Sequence, residues 1–141
     1  MRSPGVDGPS GVLDDESMRH RTVVIVVFDQ VQGLDVFGPA DVFYFANHFA
    51  EQSGQDHPYS VLIAAEEPGP IRTAAGPHII ADRALTDASL KPEVLLVAGG
   101  LAVTAAARSP SLVAGLSGLA DRSEEIGSVC TGAALLAETG L

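Results

Sequence analysis

The sequence of 141 residues has the length of a single domain, and its hydrophobic fraction of 46% predicts a well-filled core instead of a disordered chain. Its 18 acidic residues outnumber the 8 basic ones and give a net charge of −10, which argues against DNA binding by this chain itself. A single cysteine excludes an internal disulfide, and no apolar run reaches the roughly 18 residues of a membrane span, so we expect a cytoplasmic protein.

The first predicted elements are a tail, a strand and a helix. Residues 1–20 mix Pro, Gly, Ser and acidic side chains without the apolar segment of a signal peptide, and we predict a disordered tail there. The domain is predicted over residues 21–141. It opens with TVVIVVF (Thr22–Phe28), a β-branched run typical of a strand buried on both faces of a parallel sheet. A helix is predicted over Val36–Ala50, with Pro39 in its first turn, where proline is tolerated.

This helix carries aromatic side chains on more than one face: Phe37, Tyr44, Phe45 and Phe49. We therefore expect it to be covered on two sides, by the sheet and by the second subunit of a homodimer. The later elements are predicted as strand Tyr59–Ala65, a hairpin-like excursion around Gly76-Pro77, strand Pro92–Gly100, helical turns on both sides of Ser109-Pro110, strand Glu124–Gly132 and a helix starting at Thr131. Strands that alternate with helices predict an α/β fold with a mostly parallel sheet and right-handed crossovers.

Three loops are predicted to meet at one edge of this sheet. They carry Gln32 and Asp35 after the first strand, Gly99-Gly100 after the strand VLLVA, and Cys130-Thr131 after the last strand. Because ligands of open α/β sheets bind beyond the carboxyl ends of the strands, we expect a small-molecule site there. Gln32 is a predicted ligand-binding residue on the same ground.

The chemistry of Cys130, the only cysteine, has two interpretations. At a strand-to-helix turn, the thiol would lie near the positive end of a helix, which favours the thiolate and lowers the pKa. Alternatively, Cys130 fills a small space in the core, since free cysteine is among the most buried residue types.

Asp35 and the paired glycines have similar alternatives. The Asp35 carboxylate either shares a proton with the thiol or caps the helix that follows it. The N–H groups of Gly99-Gly100 either form an oxyanion hole or belong to a tight turn. No Cys–His pair is predicted, because none of the histidines is placed at this edge: His20, His48, His57 and His78. The sequence has no metal-ligand cluster and no phosphate-binding glycine loop, so we expect neither a metal nor a cofactor.

Together, three segments resemble the ThiJ/PfpI superfamily, whose fold is like that of class I glutamine amidotransferases: VVIVVFDQVQGLDVFGPADVF, PEVLLVAGG and GSVCTGAALLAETGL. The resemblance implies a flavodoxin-like sandwich with a mostly parallel sheet. Within the superfamily, the chain looks most like the amidotransferase-like N-terminal domain of AraC-type transcriptional regulators. The same pattern is shared with isonitrile hydratases.

On this resemblance, Cys130 matches the nucleophile-elbow cysteine, and Thr131 matches the following residue, which stabilises the thiolate or intermediate. Asp35 matches the acidic partner of the cysteine. Gly99-Gly100 match the turn that lends backbone donors, and Ala98 departs from the pattern, which usually has a proline before the glycines.

Members of the family continue past the elbow helix, so the resemblance implies a C-terminally incomplete domain that lacks the helix-turn-helix domain of a regulator. The implied function is that of a non-catalytic, ligand-sensing domain in transcription regulation. The alternative is an isonitrile hydratase-like enzyme, in which Cys130 attacks the isonitrile carbon while Asp35 manages protons and water. A third interpretation is a truncated α/β piece without activity.

Overall fold

The computed structural model describes residues 20–141, so the predicted tail over residues 1–20 lies, apart from His20, outside the described residues. The elements in chain order are β1 (Arg21–Val26), α1 (Gly33–Gln52), β2 (Tyr59–Ala65), β3 (Gly69–Arg72), β4 (His78–Ala81), β5 (Arg83–Ala84), β6 (Val94–Val97), α2 (Val103–Ala106), α3 (Pro110–Ala120), β7 (Glu125–Ser128) and α4 (Gly132–Ala137). The predicted α/β fold with a mostly parallel sheet is confirmed.

The main sheet has five strands in the order β5-β2-β1-β6-β7, and each neighbouring pair is parallel. β1 lies at the centre, between β2 and β6, and residues 23–27 are completely buried. This burial on both faces is the reason for the continuous β-branched run. In a parallel sheet, the carboxyl ends of β1, β6 and β7 all point to the same edge.

A separate two-stranded sheet accounts for the predicted hairpin-like excursion. β3 pairs with β4 in antiparallel fashion, with Arg72 opposite His78. Gly76 has a φ of 106° in the connecting turn, a backbone conformation that favours glycine. After the hairpin, β5 returns to the edge of the main sheet beside β2, with Ala65 opposite Ala84.

The helices differ in how much of their surface the chain covers. α3 buries a continuous apolar face, and its Gly115 lies so close to Leu85 that an added Cβ would be 3.1 Å from the Leu85 Cβ. By contrast, the only residues of α1 that are buried are Asp35 and Val36. Phe43 of α1 does contact the sheet, with its ring centroid 5.0 Å from that of Tyr59. The four aromatic residues singled out above are each more than half exposed, so the sheet leaves them uncovered.

Candidate functional site

Asp35 lies in the first turn of α1, and its side chain is buried. Its Oδ2 accepts a hydrogen bond from the Gly99 N–H at 3.1 Å. The interpretation of Asp35 as the helix cap is wrong, because α1 begins at Gly33 and its N-cap residue is Gln32, which makes no side-chain cap. α1 therefore begins three residues before the predicted start at Val36. The N-cap residue Gln32 is bonded to a distant segment, because its N–H donates to the Gly99 carbonyl at 2.8 Å.

Gly99 lets three groups approach the same point. A Cβ at this position would lie 2.8 Å from Asp35 Oδ2, from the Thr131 nitrogen and from Thr131 Oγ1. Real Cβ atoms do not tolerate such distances, so a larger residue would push apart the carboxylate and the turn that carries Cys130. The loops after β1, β6 and β7 therefore meet at Gly99.

Thr131 secures the second glycine of the pair. Its Oγ1 accepts a hydrogen bond from the Gly100 N–H at 2.9 Å, and its hydroxyl lies 3.1 Å from the Gly100 carbonyl oxygen, to which it donates. The predicted backbone donors are therefore already engaged, Gly99 by Asp35 and Gly100 by Thr131. An anionic ligand or intermediate would bind to them only by displacing one of these partners.

Cys130 occupies the sharp turn between β7 and α4 and is exposed, so its interpretation as a core filler is wrong. Its φ of 51° lies in the left-handed region, which non-glycine residues seldom adopt. The turn continues into Gly132, where an added Cβ would lie 2.1 Å from the Val97 carbonyl oxygen. The backbone thus passes directly against the end of β6, and the thiol side chain is held outward.

The remaining predicted residues lie around or away from this cluster. The Gln32 side chain is exposed at the same edge, and its role in ligand binding stays a prediction. His20 contacts the His57 carbonyl, while His48 contacts Gln52. Among residues 20–141, no histidine is bonded to the cluster of Asp35, Gly99, Gly100, Cys130 and Thr131.

Two site-forming contacts were not predicted from the sequence. The glycine at position 132 is compatible with a cramped turn, but the sequence does not indicate that its backbone lies against β6. Gln30 adopts a left-handed φ of 64° in the loop after β1, and nothing in the local sequence marks this residue for such a conformation. Its N–H donates to the Arg72 carbonyl at 2.8 Å, a contact that only the fold provides.

The structure is thus a parallel α/β sheet with an exposed cysteine at a strained strand-to-helix turn, which is the place where α/β-hydrolases carry their nucleophile. The profile of the DJ-1/PfpI family matches residues 21–141, and the chain belongs to this family. The resemblance inferred from the sequence motifs is thereby confirmed.

Individual relatives support the same fold. The chain is 40% identical over 124 residues to an uncharacterized protein in the cpoL 5′ region of Streptomyces lividans. The aligned region covers 86% of this chain and 81% of that relative. The structure of a ThiJ/PfpI family protein from Pseudomonas syringae matches with a TM-score of 0.73 and 23% identity over 99% of this chain. The chain spans 53% of the length of that protein, about half.

Two further solved structures share the architecture. An AraC family transcriptional regulator from Pseudomonas putida matches with a TM-score of 0.66 and 22% identity, over 85% of this chain and 71% of its own. Drosophila melanogaster DJ-1beta matches with a TM-score of 0.65 and 19% identity, over 86% of this chain and 61% of its own. Within the described residues, no helix combines the length and apolar character that crossing a bilayer requires.

Proposed function

We propose that the chain is the ligand-sensing part of an AraC-type transcriptional regulator and that the cluster around Cys130 and Asp35 binds a small molecule. The observation that carries this proposal is the mutual pairing within the cluster, where Asp35 and Thr131 already accept from Gly99 and Gly100. A ligand exchanges one set of hydrogen bonds for another at such a site, which suits reversible binding. A catalyst for anionic intermediates is expected to keep its donors free.

Two other observations favour sensing over catalysis. No histidine within residues 20–141 makes a hydrogen bond or an ion pair with the cluster, so none of the described histidines is paired with Cys130 as a base would be. The regulator from Pseudomonas putida has the same fold over most of this chain. With a net charge of −10, DNA recognition would belong to a different part of a regulator.

The binding role is tested with a small-molecule library in a thermal-shift assay. A compound that binds the cluster raises the Tm of the native protein, because it binds the folded state and not the unfolded chain. It should not raise the Tm of Cys130→Ser or Asp35→Asn, because each variant lacks one side chain of the site. His78→Ala, on the exposed hairpin, is the matched control and keeps the full shift. Shifts that survive in both cluster variants would contradict the assignment of the site.

The regulatory role is tested on DNA. We expect no specific operator binding by these 141 residues in a gel-shift assay. We also expect the reading frame downstream of the Leu141 codon to encode a helix-turn-helix domain. A downstream sequence without one removes the regulator assignment while leaving the small-molecule site intact.

The second candidate function is isonitrile hydration, and it is favoured by an exposed Cys130 thiol in the turn that meets the buried Asp35 carboxylate at Gly99. The Cys130 sulfur would bond to the isonitrile carbon, and the thiol proton would pass to that carbon, giving a thioimidate. Water would then add to the same carbon, a proton would move to nitrogen, and the carbon–sulfur bond would break. The products are the N-formamide and the regenerated thiol, with Asp35 handling the protons.

This alternative is decided by turnover of an isonitrile to its N-formamide, followed by NMR. Cys130→Ala should abolish turnover, and Asp35→Asn should lower it by about 10²–10⁴-fold, the usual contribution of a positioned acid–base group. Rates that are unchanged in both variants would remove both roles, and a complete lack of turnover in the native protein favours the sensing function.

A further inference from the structure

We propose a second small-molecule site, separate from the Cys130 cluster, that binds a small organic cation with an apolar body. It is a cleft of about 270 Å³ beyond the carboxyl ends of β1 and β2, facing α2 and the start of α3. None of the residues of the Cys130 cluster lines it. The proposal therefore stands whether that cluster senses a ligand, catalyses a reaction or does neither.

The floor of the cleft is apolar because it is formed by hydrocarbon side chains from the loop after β1, from α2 and the residue before it, and from α3. Phe28 and Leu112 are buried in this floor, and Ala102, Ala105 and Ala106 contribute only methyl groups. Larger residues at these alanines would fill the space. The floor therefore offers contact to a short hydrocarbon or aromatic body, the kind of surface that lines most ligand pockets.

The rim carries the charge. Asp29, directly after Phe28, and Glu66, directly after β2, are both exposed at the cleft. The Ser111 hydroxyl donates to Glu66 Oε1, which orients this carboxylate. The residues that line the cleft all lie in the described part of the chain. They include two carboxylates and no basic side chain. A cationic group at the rim complements this charge, whereas an anion would be repelled.

The walls of the cleft are held in place without a ligand. The Gln30 N–H donates to the Arg72 carbonyl, and the Ser109 Oγ caps α3 by accepting from the Leu112 N–H at 3.3 Å. The Gln30 carbonyl oxygen would lie 3.2 Å from a Cβ on Gly100, so the loop after β1 packs closely on the glycine turn. A preformed cleft requires little reorganisation when it is occupied.

The test is an NMR titration of the 141-residue chain with phenethylammonium, with phenethyl alcohol as the neutral analogue and hydrocinnamate as the anion. We expect saturable shifts at the amides of Phe28, Ala102 and Leu112 with the ammonium probe. Its affinity should exceed that of the alcohol by about two- to fivefold for each carboxylate, as for exposed ion pairs. The anion should bind more weakly than either.

Four variants separate charge, shape and location. Glu66→Gln and Asp29→Asn should each weaken the ammonium probe by about two- to fivefold without affecting the alcohol. Ala105→Phe fills the cleft and should weaken both probes, and a circular dichroism spectrum verifies that the variant folds. Cys130→Ala should leave binding unchanged. Equal affinity for ammonium and alcohol, shifts centred on Cys130 that vanish in Cys130→Ala, or no saturable shifts would each overturn the proposal.

Discussion

Cys130 is held in a backbone conformation that costs a non-glycine residue about 1–2 kcal/mol, with a φ of 51°. Such strain persists where the surrounding structure enforces it, and it is concentrated at functional sites. Here the contact of Gly132 with the end of β6 enforces the turn.

This strain can be measured by comparing two substitutions of Cys130. We expect Cys130→Gly to be more stable to urea than Cys130→Ala by about 1 kcal/mol, because glycine adopts a left-handed φ without a penalty. The matched control is Ala133→Gly in α4, where the same exchange of alanine for glycine should cost about 1 kcal/mol. A more stable Cys130→Ala would contradict the left-handed turn.

Thr131 holds Gly100 in place, because its Oγ1 accepts a hydrogen bond from the Gly100 N–H at 2.9 Å. Thr131→Val removes the acceptor and leaves the buried Gly100 N–H unpaired, which should lower the free energy of unfolding by about 1–3 kcal/mol. Amide hydrogen exchange at Gly100 should accelerate in the same variant. Thr131→Ser keeps the hydroxyl and should retain most of the protection, so equal losses in the two variants would show that the hydroxyl is not responsible.

Among the elements, α4 begins directly against the end of β6. A Cβ on Gly132 would lie 2.1 Å from the Val97 carbonyl oxygen and 2.8 Å from that of Ala98. We expect Gly132→Ala to lower the free energy of unfolding by about 3 kcal/mol, as measured by urea unfolding, because backbone atoms cannot give way as a side chain can. Gly38→Ala in α1 meets no atom within 4 Å and should instead stabilise the protein by about 0.5–1 kcal/mol. Similar effects of the two substitutions would disprove the close approach.

Asp87, in the turn after β5, makes the stability of the protein depend on pH at low pH. Hydrogen bonds from Ser89, with a smaller contribution from Arg83, lower the pKa of Asp87 from its ordinary 3.8 to about 2. Because the folded-state pKa is depressed, the stabilisation is fully present above the ordinary value and is lost as the pH falls towards about 2.

The cause of this shift is tested by NMR titration of the Asp87 carboxyl group. Ser89→Ala should raise its pKa further towards the ordinary value than Arg83→Gln does, because the Ser89 hydroxyl is the largest cause of the shift, although alanine keeps the backbone N–H that also donates to Asp87. The reverse order would mean that the Arg83 ion pair is the main cause.

At the scale of the whole molecule, α1 presents an apolar strip to the outside. Phe37, Phe45 and Phe49 are between 52% and 61% exposed. Exposed aromatic side chains on one element are typical of protein–protein contacts, and we propose a homodimer through this strip. The double substitution Phe45→Gln and Phe49→Gln should raise the dissociation constant at least about tenfold in sedimentation equilibrium.

Ile80→Gln is the control for this dimer, since Ile80 is equally exposed at 60% but lies on the separate hairpin. It should leave association unchanged. A native chain that sediments as a monomer at every concentration would contradict the proposed dimer.

The elements with strong local patterns were predicted closely, whereas short or tertiary elements were not. The strand Tyr59–Ala65 has the predicted bounds, because its residues alone favour an extended chain. β5 was missed, since a strand of two residues has no pattern of its own and exists through its pairing with β2. The start of α1 was placed three residues late, at Val36 instead of Gly33, because Asp35 was a plausible cap by sequence alone.

The sequence by itself determined the parallel α/β sheet and the meeting of three loops at one edge. Buried parallel strands require continuous apolar runs, and the loops that follow such strands emerge on the same side. Only the tertiary structure decided what the loop residues do there. Asp35 accepts from a residue 64 positions away, and Thr131 from one 31 positions away. These contacts, together with the outward turn of Cys130, depend on the packing of distant segments, which no local pattern encodes.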